Sequence, residues 1–378
     1  MLKKYILTIL LSLAISQNDC LNNRYIDEIF DVDIEYNVQY GQNINQSLLG
    51  SQYTEDLYMD IYTPYNDESD NRPLIFFMFG GSFVSGSRSS SDIVALCTKY
   101  AKRGYVAVAI DYRLSQHLLL FNPNEENAYK AVMKAVHDVK AAIRYFKMND
   151  ELYDDYKIDV NRVFTGGYSA GAVTAINAAY LNEFEELPEF LIDDFDGIGG
   201  FEGFSGNPGY SSEFHGIVNL SGAVGNQDWI IQGDIPIVSM HGDQDDTVPY
   251  DNSLITLFGL NIAVDGSYII HERMLELGNY SALHTYYNQG HAPYSNMAFE
   301  AEFSSDFLYE IVCSDNNYLL GDLNFDGIIN ILDVIVVVNI VLGIQGANDT
   351  QLVVSDVTQD GLVNILDIIT MVNIILDN

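Results

Sequence analysis

The sequence predicts an α/β fold with a mainly parallel central sheet, followed by a small all-α module. Three observations carry this expectation. Short apolar runs alternate with helical stretches from about residue 24 to residue 313. An internal repeat with a different composition occupies residues 321–378. The chain has 378 residues, 48% of them hydrophobic, which fits one large domain plus something smaller.

The elements follow in chain order. Lys3 and Lys4 precede an apolar run, Tyr5–Ile15, that is short for a bilayer span, and Ala14-Ile15-Ser16 supplies small residues for cleavage. Residues 1–16 are therefore expected to be a signal peptide cleaved near Ser16; the competing reading is a buried N-terminal strand or helix. No later segment reads as a membrane span, because Asn330, Asp333 and Asn339 interrupt the apolar run Ile328–Ile344. An oxidising compartment permits one disulfide among Cys20, Cys97 and Cys313. All three pairings are open, and Cys20–Cys97 is the working choice.

Residues 17–313 are expected to form the α/β domain. Strands are read at Leu57–Tyr62, Leu74–Phe79, Val106–Asp111, Arg162–Gly167, Ile235–Gly242 and Leu283–Tyr287. Continuous apolar runs of this kind suit a sheet covered on both faces. The clearest helix is Glu126–Lys147, with Ala128, Val132, Ala135, Val139 and Phe146 at helical spacing. Residues 182–213 are rich in Glu, Asp, Gly and Phe with weak periodicity, and read equally as a cap or as a plain loop. Residues 314–320 are a linker and residues 321–378 the final module.

The formal charge of −36, from 53 Asp+Glu against 17 Lys+Arg, excludes a nucleic-acid binder that works by general phosphate attraction. It also disfavours docking on anionic membranes.

The chemistry concentrates in a few loops. Gly167-Tyr168-Ser169-Ala170-Gly171 follows a strand and precedes a small-residue helix, Ala172–Tyr180. A turn this tight leaves no room for side chains at the flanking positions and lifts Ser169 clear of the sheet. A serine nucleophile needs a base, and the base an orienting carboxylate. Asp245 follows a later strand, with Asp246 and then Asp243 as rivals, and His291 follows the last strand beyond Gly290. His284 reads as packing and His241 as a strand-end structural residue. The run Phe79-Gly80-Gly81-Ser82 ends a strand, so Gly80 and Gly81, together with Ala170, are the candidate backbone donors for an oxyanion.

On these motifs, "FGGSFVSGS", "RGYVAVAIDYRL", "HDVKAAIRY", "GYSAG", "HGDQDDTVPY" and "QGHAPY" among them, residues 24–313 resemble an α/β-hydrolase of the esterase/lipase group (carboxylesterase, carbohydrate-esterase-like). Phe79 stands where the family usually has His, and Ser82 where it usually has a third Gly. The resemblance implies a carboxylic-ester hydrolase that needs no cofactor. It also implies that Asp111, Arg113, Asp138 and Arg144 form ion pairs.

The final module repeats with a spacing of 34 residues between Asp322 and Asp356, Asp326 and Asp360, and Asp333 and Asp367. Oxygen-bearing residues fall at calcium-loop spacing: Asp322, Asn324, Asp326, Asn330 and Asp333, with the carbonyl of Ile328, then Asp356, Thr358, Asp360, Asn364 and Asp367, with the carbonyl of Leu362. Ca²⁺ is the expected ion. The duplication with Asp at the last position resembles a type I dockerin, which implies a cohesin-type protein or cell-surface scaffold as partner. A calcium-stabilised intramolecular cap is the other reading.

Together these readings give a secreted or cell-surface bacterial ester hydrolase, with polysaccharide acyl groups (acetyl or feruloyl) as the expected substrates and no nucleic-acid partner. The alternatives are a general short-chain esterase or lipase, and a non-catalytic hydrolase-like binding protein tethered by the module.

Overall fold

A computed structural model of the chain describes residues 20, 23–192, 195–313, 320–323, 329–344, 347, 349–358 and 361–377. The expected signal peptide lies outside the described residues. The chain divides into two compact units, Met1–Cys313 and Ser314–Asn378.

The first unit is built on a sheet of eight strands. They are β1 (Val32–Gln46), β2 (Gln52–Pro64), β3 (Arg72–Met78), β4 (Val106–Ile110), β5 (Ile158–Tyr168), β6 (Ile217–Leu220), β8 (Ile237–Gly242) and β11 (Ser281–Tyr286), in the spatial order β1-β2-β4-β3-β5-β6-β8-β11. β1 and β2 run antiparallel and β2 pairs antiparallel with β4; all later pairs are parallel. Every residue of β3 and β4 is buried, as strands covered on both faces require. Helix α1 (Ser91–Lys102) packs with α6 (Ala298–Val312), and α3 (Glu125–Leu152) with α4 (Ala170–Tyr180). The helix expected at 126–147 is thus α3, which starts where the Asn124 side chain accepts the Asn127 N–H at 2.8 Å. Glu125 and Glu126 in its first turn complement the helix dipole. Between α1 and α3 lies the short α2 (Gln116–Phe121), and α5 (Ser267–Glu276) precedes β11.

A separate three-stranded sheet was not foreseen. β7 (Ala223–Val224), β10 (Leu260–Gly266) and β9 (Asn252–Leu257) form it, with β9 and β10 a hairpin. Its two turn residues, Phe258 at φ 53° and Gly259 at φ 80°, both take the left-handed conformation that two-residue hairpins favour.

The working disulfide is corrected: Cys20 pairs with Cys313, Cα atoms 5.7 Å apart, and Cys97 is free. Cys97 points from α1 into the core, fully buried, and burial pushes its thiol well up. Cys313 caps α6, where Tyr309 donates to the Cys20 carbonyl at 3.1 Å.

Residues 182–213 contribute no described residue to the cavity beside Ser169 and wrap α3 instead. Glu202 meets Lys140 at 3.0 Å and Arg144 at 2.8 Å, and Ser205 donates to Asp138 at 2.5 Å. Asp138 in turn accepts from the Arg113 guanidinium at 3.0 Å and from the Arg113 backbone N–H at 2.8 Å, with both residues buried. The remaining expected ion-pair member, Asp111, meets Arg88.

In the second unit, α7 (Ile331–Val341), α8 (Asp349–Ser355) and α9 (Ile365–Asp377) surround a core of Leu323, Val334, Val337, Val354 and Met371. α7 and α9 are the two copies of the repeat helix and pack on each other.

Substituting Arg113→Met leaves Asp138 buried without its cation. The expected cost is about 3–5 kcal/mol, read as a lower midpoint of urea unfolding of the first unit's signal.

Candidate active site

The site begins with a steric constraint. β5 ends at Tyr168, and Ser169 takes φ 53°, ψ −117°, a strained conformation for a residue with a side chain. Helix α4 starts at once. A Cβ on Gly171 would stand 2.1 Å from the Met78 carbonyl oxygen, so only glycine lets the helix close onto β3. Ser169 is held by its own N–H on the Leu220 carbonyl at 2.9 Å and by its carbonyl accepting from Val173 at 2.9 Å.

The three residues expected to work together do meet. His291 Nε2 lies 3.0 Å from Ser169 Oγ, and His291 Nδ1 lies 2.6 Å from Asp245 Oδ2. A carboxylate only accepts, so Nδ1 carries hydrogen and donates to Asp245; neutral Nε2 then accepts from the serine hydroxyl. The Asp245 side chain is fully buried, and Oδ1 accepts from the N–H groups of Thr247 at 2.8 Å and Val248 at 3.0 Å. Burial pushes this carboxyl up, but donors on His241, His291 and Thr247 outweigh burial and hold it well below the usual carboxylate range. The rival acids face elsewhere. Asp243 accepts from the Asn288 N–H at 2.6 Å, and Asp246 is exposed.

His241 has a role the sequence reading did not assign. Its Nε2 donates toward Asp245 Oδ2 and the Val248 carbonyl, each at 3.0 Å, and its Nδ1 accepts from Ser267 at 2.7 Å. Asp245 is thus gripped by two imidazoles. His284 packs against the Tyr286, Phe299 and Phe303 rings.

Gly80 passes so close to Ser169 that a Cβ there would sit 3.1 Å from the Ser169 Cβ. The loop from Phe79 is held by aromatic contact: Phe79 stacks on Tyr112 at 4.3 Å between centroids, and the Tyr112 hydroxyl donates to the Phe79 carbonyl at 2.9 Å. Tyr112 therefore anchors a loop that lacks its usual histidine. Ala170, the first residue of α4, has a backbone N–H with no carbonyl of its own helix to pair with.

Beside Ser169 opens a cavity of about 120 Å³. Val173, Val248, Leu257, Leu260, Ile262 and Val264 make its apolar wall. The hairpin supplies most of this wall, and its signal was present: Leu260, Ile262 and Val264 alternate with polar or small neighbours along β10.

In the second unit, Asp333 and Asp367 are fully buried and Asp322 nearly so. Asp333 accepts from the N–H groups of Leu323 at 2.9 Å and Asn330 at 2.8 Å; Asp367 accepts from those of Thr358 at 3.0 Å and Asn364 at 2.8 Å. Asp356 accepts from Gly361 N–H at 2.7 Å. The Leu362 carbonyl accepts from the Asn364 side chain at 3.0 Å. Asn324, Asp326, Ile328 and Asp360 lie outside the described residues. Among the described residues no group of ≥ 3 His, Cys, Asp or Glu gathers as a metal site, and no helix is long and apolar enough to cross a membrane.

Comparison with known proteins follows the same division. Residues 59–223 match the BD-FAE family model, and residues 320–376 match the dockerin type I domain. The mouse protein named pyrethroid hydrolase Ces2a is 31% identical over 143 residues, 36% of this chain and 24% of that protein. Esterase LipC of Mycobacterium tuberculosis is 27% identical over 149 residues, 38% of this chain and 33% of that protein. The chain thus spans a third or less of the length of these relatives. Among solved structures, Thermogutta terrifontis esterase 2 phosphorylated by paraoxon superposes with a TM-score of 0.51 at 22% identity, covering 72% of this chain and 95% of that one, a likeness of fold. Sheet order, the strand-to-helix serine turn and the duplicated C-terminal helices agree with both matches: the chain has an α/β-hydrolase fold with an esterase-family match over residues 59–223, followed by a type I dockerin domain at residues 320–376.

Proposed function

We propose that the protein is a secreted serine carboxylic-ester hydrolase that works through an acyl-enzyme. The observation that carries the reading is the hydrogen-bonded chain from Ser169 Oγ through His291 to Asp245, at 3.0 and 2.6 Å. Ser169 attacks the ester carbonyl while His291 Nε2 takes its proton. The charge that forms on the carbonyl oxygen is received by backbone N–H groups of Gly80, Gly81 and Ala170. Collapse breaks the ester bond, and the proton on His291 passes to the leaving alkoxide. Water, deprotonated by the same nitrogen, then releases the acid and restores Ser169. Asp245 keeps Nδ1 protonated and stabilises the imidazolium in both halves.

The dockerin domain supports the further reading that the substrates are acyl groups on polysaccharides, acetyl or feruloyl, and that a cohesin-type protein on a scaffold or cell surface is the partner. The apolar cavity beside Ser169 suits a small acyl group.

Ca²⁺ is proposed for the dockerin domain, and the residues present fit it. Asp333 and Asp367 are carboxylates buried in a segment, residues 320–378, that contains no Lys or Arg. Burial pushes the Asp367 carboxyl up, yet the N–H groups of Thr358 and Asn364 and the Thr358 hydroxyl hold it below the usual range, so it stays ionised. Charge buried without a basic side chain in its own module needs a cation. Asp322, Asn330, Asp333, Asp356, Thr358, Asn364 and Asp367, with the Leu362 carbonyl, would hold it together with Asn324, Asp326, Asp360 and the Ile328 carbonyl.

Three outcomes are expected. Ser169→Ala lowers hydrolysis of p-nitrophenyl acetate by about 10⁶-fold, and acetate or ferulate release by the wild type from acetylated xylan and feruloyl esters then ranks the substrates; equal background rates in both proteins would instead make this a non-catalytic binding protein. Asp245→Asn lowers kcat by about 10⁴-fold. It also loses a carboxylate whose depressed folded-state pKa stabilises the protein above the unfolded value of about 3.9. The melting gap between wild type and Asp245→Asn therefore closes as the pH falls below about 4. Finally, calcium raises the second melting transition of the full chain and EDTA reverses it; a transition indifferent to both defeats the metal assignment.

A further inference from the structure

A second cavity, of about 450 Å³, lies against α3 away from Ser169. The helix separates the two. Ala128, Tyr129 and Val132 face the Ser169 cavity, whereas Lys130, Lys134 and His137 face the second. At 3.6 residues per turn these sets fall on roughly opposite sides of α3. The volume is in the range of ligand pockets, about 300–1,000 Å³.

Its wall is chemically unlike the rest of this acidic chain. Lys134 Nζ donates to the neutral Asn45 Oδ1 at 3.0 Å, and Asn45 passes the contact on to Glu55 at 2.6 Å, so among the described residues the ammonium bonds an amide in place of a carboxylate. Burial pushes Lys134 down to about 8, with Arg113 adding to the effect. The amide of Asn127, a residue 7% exposed, donates to the Asn122 carbonyl at 2.7 Å, which leaves Oδ1 as an acceptor in the cavity wall. Gln46, also in the wall, holds its amide oxygen buried without a hydrogen-bond partner. Phe204, 66% exposed, presents an aromatic ring at the rim. Residues 182–213, which do not cap the serine, supply this ring.

An under-neutralised cation, side-chain amides with free hydrogen-bonding capacity and one exposed ring match a ligand that carries a carboxylate, several hydroxyls and an apolar C–H face. We propose that this cavity is a binding site for an acidic sugar, a uronic-acid unit of a polysaccharide. The carboxylate pairs with Lys134, hydroxyls pair with Asn127 and Gln46, and the sugar face packs on Phe204. The site lies outside the hydrolytic machinery, and its occupancy does not depend on the assignment of Ser169.

Calorimetry on the full chain tests this with three probes: tetragalacturonate, galactotetraose and inorganic phosphate. Tetragalacturonate is expected to bind with Kd on the order of 1 mM or tighter. Lys134→Met weakens it about tenfold, and Phe204→Ala, a change at an exposed position that carries no folding risk, weakens it several-fold. Both variants keep p-nitrophenyl acetate hydrolysis. Equal binding of galactotetraose removes the carboxylate from the proposal, and equal binding of phosphate reduces the cavity to a plain anion site. Absence of tetragalacturonate binding, or binding indifferent to both substitutions, overturns it.

Discussion

The hydrolase domain depends on the close approach of α4 to the end of β3. Gly171 lies so near the Met78 carbonyl that any side chain would collide with it. β3 and β5 are parallel neighbours with Met78 opposite Gly167. The chain leaving Met78 therefore has to run beside the chain leaving Gly167, and Gly80 comes up against Ser169. One packing contact sets both the Ser169 turn and the loop proposed to receive the oxyanion. The strain at Ser169 persists because β6 and α4 hold its backbone from both sides. His291 and Asp245 then need only emerge from the ends of β11 and β8, which are paired in parallel with His284 opposite Met240.

What was legible in the sequence follows from burial. β3 and β4 are covered on both faces and read as continuous apolar runs. β1 alternates between exposed and partly buried positions and carries polar residues throughout, so it does not stand out as an apolar run. β6 is short, and its Asn219 donates to Ser239 at 3.0 Å and to Ser267 at 2.9 Å, a buried polar knot that breaks the apolar run. Ser169, His291 and Asp245 were readable because each stands in a loop directly after a strand. The places of His241 and the β9–β10 hairpin beside Ser169 were not, alternation along β10 notwithstanding, since they come from proximity across the fold. The disulfide failed for the same reason: Cys20 and Cys313 are 293 residues apart in the chain, and only the packing of the N-terminal segment on α6 brings them together.

The dockerin repeat contains an ambiguity that the structure resolves differently from spacing. Asn330 and Asp333 form a reciprocal cap at the start of α7: the Leu332 N–H bonds Asn330 Oδ1, and the Asn330 N–H bonds Asp333 Oδ2, both at 2.8 Å. Asn364 and Asp367 repeat the arrangement before α9, at 2.9 and 2.8 Å. Helix capping alone could account for an amide followed three residues later by an acid. It does not account for complete burial of that acid in a module free of Lys and Arg. The case for a metal therefore rests on carboxylates buried in a segment without Lys or Arg more than on the loop pattern.

Acidity also takes on a different meaning once partners are assigned. Several of the domain's cations are committed to buried or half-buried carboxylates: Arg24 and Arg72 to Asp67, Arg88 to Asp60 and Asp111, and Arg113 to Asp138. These pairs neutralise acids in the interior, so the net charge of −36 is carried largely at the surface. Such a surface repels an anionic polysaccharide at long range and attracts nothing negative without a local cation. Recognition of an acidic sugar must then be a contact effect, confined to a site where a lysine is desolvated and bonds an amide among the described residues. Salt screens the long-range repulsion within about 10 Å at 0.1 M but reaches a half-buried ammonium much less. An acidic-sugar site on this domain should therefore tolerate, or gain from, ionic strength that would weaken an ordinary basic patch.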